Sequence, residues 1–178
     1  MILSAEHAAP GGFFVIQSEE QQWLDEWLRL VDKLTKGHGY FKLQMFADAA
    51  EHLEEALRIV PDLHEARLLL ATARMRMAEY IEARRHFQVV ALLADHPKWQ
   101  AVAYNGLGCI QAAQSQLEQA RSCFRRALEA DPTCADARKN LEMCQSGRKE
   151  LRLRFWAGEL EARGRSLNES APAGTPNA

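Results

Sequence analysis

A recurrence of about 34 residues dominates this chain and limits what it can fold into. Segments 30–63, 64–97 and 101–134 align column by column once Lys98, Trp99 and Gln100 are taken as an insertion. Column 8 holds Gly37, Ala71 and Gly108, and column 20 holds Ala49, Ala83 and Ala120. Column 24 holds Leu53, Phe87 and Phe124, and column 27 holds Ala56, Val90 and Ala127. Column 32 holds Pro61 and Pro132, with Pro97 displaced by two places in the middle segment. Small residues at columns 8 and 20 let two antiparallel helices approach closely, with Gly108 and Ala120 expected to face each other. The large residue at column 24 fills the space beside that contact. Proline cannot extend the second helix, so the chain turns and a new pair begins. One such pair cannot bury its apolar face alone, so neighbouring pairs stack.

These columns resemble the tetratricopeptide repeat, a helix–turn–helix unit. The third segment carries Tyr104, Leu107, Gly108, Ala120, Phe124, Ala127 and Pro132 at signature places. The second keeps Leu70, Ala71, Tyr80, Ala83 and Phe87, and the first keeps Phe46, Ala49, Ala56 and Pro61. The first departs from the pattern at Lys33 and Lys36, where large apolar residues usually sit. The resemblance implies an all-α, right-handed helical-repeat solenoid of about three helix pairs, with roughly seven to nine helices in all.

The flanks extend that reading. Residues 1–17 read as a flexible arm marked by Pro10-Gly11-Gly12. Ser18 and Gln21 form a capping box, opening a helix that carries Trp23, Trp27, Leu30, Val31 and Leu34 at helical spacing. Gly37 and Gly39 mark a possible irregularity in it. The repeat domain spans 18–164, with a degenerate fourth repeat or cap over 135–164. Within that cap an amphipathic helix is expected over 148–164, with Leu151, Phe155, Trp156 and Leu160 on one side. Residues 165–178 are small and polar and read as a disordered tail.

Several classes are excluded by what is missing. No apolar run approaches the ~18 residues needed to cross a bilayer, and the N-terminus lacks a signal-peptide pattern. Cys109, Cys123, Cys134 and Cys144 show no zinc spacing. Free thiols without a leader suit a reducing compartment, so a cytoplasmic location is expected. The net charge of −2 makes no general case for nucleic acid. No phosphate loop, zincin helix or nucleophile elbow occurs. His38, His52, His64, His86 and His96 are scattered and read as solvated or groove-lining. Glu51, Glu54 and Glu55 read as a solvated face. No catalytic residue, metal site or cofactor is expected.

In the resembled family, first helices line a concave face, and columns 2, 5, 9 and 12 point into it. Carried over, that rule selects a partner-binding groove of Val31, Leu34, His38, Phe41, Leu68, Thr72, Met75, Val102, Asn105 and Cys109, with Glu65 and Ala112 beside them. The set is mostly apolar, which implies an apolar protein or peptide segment as ligand. The alternative occupant is the chain's own Phe13, Phe14, Val15 and Ile16. Family members that grip a peptide's C-terminal carboxylate use a Lys, Asn and Arg clamp. Leu34, His38, Leu69, Val102 and Gly106 stand at those places here, so acidic chaperone tails are not expected ligands.

The function expected is a non-catalytic adaptor or scaffold. The layout is also similar to class II chaperones of type III secretion, which gives the alternative of a chaperone for a secreted translocator. A third reading, an enzyme accessory or RNA-associated protein, uses the basic cluster Arg148, Lys149, Arg152 and Arg154 for RNA or an acidic partner. No RNA-binding motif accompanies that cluster, so its cationic stems are read as cover for apolar surface. Oligomeric state is left open.

Overall fold

In this computed structural model the described residues are 11–146 and Phe155, with side chains from Glu19 onward. Among them are seven α-helices and no strand. The chain divides into two compact units, residues 1–77 and 78–178.

The first unit holds α1 (Gly11–Lys42), α2 (Phe46–Ile59) and α3 (His64–Arg76). A Cβ placed on Gly37 would sit 2.8 Å from Cγ of Leu53, so only glycine lets α1 and α2 close to this distance. Lys33, expected to be an irregular substitution, forms an ion pair with Glu55 across the same pair of helices. Tyr40 stacks on His52 at 5.4 Å further along. Helix α1 begins at Gly11, so the described part of the expected arm is helical, and Ser18 lies inside the helix rather than at its cap. Neither Gly37 nor Gly39 interrupts it.

The second unit holds α4 (Tyr80–Leu93), α5 (Pro97–Ala113), α6 (Leu117–Ala130) and α7 (Ala135–Gln145). Pro97 is at the first turn of α5, where its missing N–H costs nothing, and His96 Nδ1 accepts from the Lys98 amide at 3.2 Å. The three-residue insertion therefore lengthens α5 by a turn instead of making a loop. Gly108 faces the ring of Phe124, and Gly106 faces that of Phe87: added Cβ atoms would lie 2.4 and 2.6 Å away. The close partner of Gly108 is thus the column 24 ring, where Ala120 was expected. Ala101, Ala127 and Ala137 make a further contact of small residues. The cap expected over 135–164 is seen as α7 only. Its second helix and the tail lie outside the described residues apart from Phe155, whose ring meets Phe87 edge-on at 5.6 Å.

The alanines of column 20, the large residues of column 24 and the column 27 residues are fully buried, as their spacing requires. Two further columns had no obvious signal. Gln44, Ala78 and Ser115 share column 15, and each has φ of 60–61°. The Met45 and Gln116 amides then bond to the carbonyls of Tyr40 and Gln111, closing helix ends in the manner usually built on glycine. Arg67 and Arg138 share the fourth place of their repeats, and each donates to the carbonyl of the proline six residues earlier, Pro61 and Pro132.

Candidate binding surface

In the first unit, Leu34, His38 and Phe41 follow one another along α1 at spacings of four and three residues, which places them on one face. All three are half-buried, as is Met75 on α3, while Val31 is exposed. Phe41 meets Phe46 edge-on at 5.5 Å, and the Arg76 guanidinium lies 5.7 Å from the Phe46 ring centre. Burial holds the His38 imidazole below its ordinary pKa, with Glu65 opposing that shift and Lys42 adding to it. His38 is therefore neutral near pH 7 and adds no charge to an otherwise apolar strip.

The other residues selected from sequence behave differently. Leu68 is fully buried, and Thr72 is buried with its hydroxyl donating to the Leu68 carbonyl at 2.7 Å. In the second unit Val102, Asn105 and Cys109 are buried. The Asn140 amide of α7 donates to Asn105 Oδ1 at 2.9 Å and to Cys109 Sγ at 3.6 Å. Desolvation pushes the Cys109 thiol far above its ordinary range. The column rule states which way a side chain points and says nothing of whether the next helix covers it. Five of the ten residues are therefore interior, and the accessible five all belong to the first unit.

Sequence reasoning missed two clefts. One of about 630 Å³ in the second unit is lined by Tyr80, Arg84, Arg85 and Gln114, with Arg84 donating to Gln114 Oε1 at 2.6 Å. Another of about 270 Å³ in the first unit lies among Glu26, Arg29, Glu55 and Arg58. Each cleft is built from two short stretches of chain, and the residues share no column. Among the described residues no group of three or more His, Cys, Asp or Glu is placed to hold a metal ion, and no helix is long and apolar enough to cross a membrane.

Models of the tetratricopeptide repeat match residues 40–103 and 101–134. Human intraflagellar transport protein 70A is 32% identical over 95 residues, 53% of this chain and 14% of that protein. Its bovine counterpart is 34% identical over 92 residues, 52% of this chain and 13% of that protein. The chain thus spans about a seventh of the length of the curated relatives it matches. Among solved structures, the first such repeat domain of Spaghetti (RPAP3), bound to the HSP90 peptide SRMEEVD, superposes with a TM-score of 0.59 at 21% identity. That superposition covers 67% of this chain and 92% of the other. The human RPAP3 domain gives the same score, covering 66% and 90%.

Proposed function

Because the chain belongs to the tetratricopeptide repeat family, and is in that sense a protein-interaction module, we propose that its first unit binds an apolar segment of a partner protein without catalysis. Leu34, Phe41 and Met75 are the anchors. The observation that carries this reading is that these apolar side chains remain partly accessible while Leu68, Thr72, Val102, Asn105 and Cys109 are buried. Methionine and phenylalanine suit the role, since one adapts its shape and the other offers a large rigid face. Neutral His38 lowers the cost of desolvating the strip when a ligand covers it.

The RPAP3 domain of the solved structure holds an acidic chaperone peptide. Here Leu34, His38, Leu69, Val102 and Gly106 stand at the clamp positions, which favours an apolar ligand over a terminal carboxylate. The chaperone and RNA alternatives draw no support from these relatives. The test is Met75→Glu and, separately, Phe41→Glu, each measured for unfolding midpoint and for recovery of bound protein from native lysate. Met75→Glu is the cleaner arm, because Phe41 also packs on Phe46. Loss of the bound protein at an unchanged midpoint is expected. Full recovery with both variants would refute the assignment.

A further inference from the structure

Helix α1 outruns its neighbours. It has 32 residues against 14 in α2, and every residue from Glu19 to Arg29 is exposed, with burial beginning at Leu30. The stretch ahead of Leu30 rises roughly 28 Å at 1.5 Å per residue. A lone helix of this length is marginal in water and is ordinarily held by packing of an apolar face. Such a face is present and open. Trp23, Leu24, Trp27, Leu28 and Val31 lie within one contiguous sector of the helix, with Trp23 66%, Leu28 58% and Trp27 50% exposed. The two indoles stack with centroids 6.2 Å apart. Together these side chains leave on the order of 500 Å² of apolar surface to solvent, the upper end of what single chains leave open.

We propose that this face docks a basic amphipathic segment of a partner protein, on the stretch of α1 ahead of the strip of Leu34, Phe41 and Met75. Charge decides the partner's chemistry. Residues 19–31 carry four carboxylates, Glu19, Glu20, Asp25 and Glu26, against one cation, Arg29. Glu20 lies three, four and seven residues before Trp23, Leu24 and Trp27, within the apolar sector itself. A wholly apolar ligand would strip water from Glu20 and leave its charge unpaired. An acidic ligand, or a second copy of this stretch laid against itself, would set carboxylate against carboxylate. A ligand with Lys or Arg beside its apolar residues pairs with Glu20 and its neighbours and places cations near the indoles.

The probe is a labelled 14-residue helical peptide of Leu and Lys with its leucines on one face, against a Leu and Glu peptide of the same pattern. Anisotropy with the full chain is expected to show binding of the first and none of the second. Trp23→Ser with Trp27→Ser should abolish binding, and Glu20→Lys should weaken it about tenfold or more. The unfolding midpoint should stay in place, since these side chains are exposed. Met75→Glu should leave peptide binding unchanged, which separates this surface from the strip on the same unit. Equal binding of both peptides, or undiminished binding by the tryptophan or Glu20 variants, would overturn the proposal. So would a dimer of the free chain that the tryptophan variant splits, which would assign the face to a second copy.

Discussion

Gly108→Ala isolates the close approach on which the third repeat depends. The added methyl would stand 2.4, 2.7 and 2.9 Å from Cε1, Cδ1 and Cζ of Phe124, the nearest of them over 1 Å inside ordinary carbon–carbon contact. Phe124 is fully buried, so relief requires its ring or the spacing of α5 and α6 to shift. Overpacking of this kind costs about 1–3 kcal/mol even after the residue's better helix propensity is counted. Gly39→Ala is the internal control. It also lies within a helix, but its new methyl meets nothing within 4 Å. It should therefore gain about 0.5–1 kcal/mol from propensity and a less flexible unfolded chain. The two single-methyl variants should separate by about 2–4 kcal/mol, or roughly 1–2 M in urea midpoint followed by far-UV circular dichroism. Adding Phe124→Leu should shrink the penalty of Gly108→Ala, because the two sites couple directly. Equal midpoints for the Gly108 and Gly39 variants would refute the packing argument, as would strict additivity with Phe124→Leu.

Three other outcomes follow from the same physical reasoning. Ala78→Gly should stabilise the chain by about 0.5–1 kcal/mol, since φ of 61° strains alanine more than glycine's unfolded-state freedom costs; a lower thermal midpoint would contradict this. The pKa of His38 is lowered in the fold, so its contribution is complete above the ordinary histidine range near ~6.5 and is lost as pH falls through it. His38→Gln should accordingly flatten the fall in urea midpoint between about pH 7.5 and 5.5, and an unaltered slope would count against it. Disulfide-exchange reagents should reach the half-buried Cys123 and Cys134 before Cys144 and Cys109, with Cys109 slowest; early labelling of Cys109 at native pH would mean the second unit opens there.

The repeats were legible because their packing is written in side-chain volume. Columns 8, 20, 24 and 27 mark where helices can close and what fills the gap, and every large residue of column 24 is interior. Volume periodicity does not say which column comes nearest, and the atoms nearest a Cβ on Gly108 belong to Phe124, the residue expected beside its contact with Ala120. The start of α1 was placed at Ser18 because serine and glutamine at that spacing also cap helices. Inside a helix the same pair is tolerated, and Gly11 and Gly12 also lie within α1. Column 15 escaped notice because its left-handed backbone is carried by Gln44, Ala78 and Ser115 where glycine would have signalled it. The binding residues were half legible. Direction around a first helix follows from spacing, but cover by the next helix, as Asn140 gives Asn105 and Cys109, is a property of the assembled unit.

The Asn105–Asn140 bond also gives the junction between α5 and α7 a buried polar key. An array of similar repeats can in principle grow or shrink by whole units, because each new interface looks like the last. In this unit the junction between α5 and α7 is individually keyed, since both amides are buried and each meets the other. A repeat with apolar residues at those two places, inserted between them, would separate the two residues and deprive both of this bond, a cost of about 1–3 kcal/mol for each group left unpaired. A deletion that brought α7 against a different first helix would meet the same barrier. Inserting such a repeat would therefore be easier with both residues changed to apolar ones together.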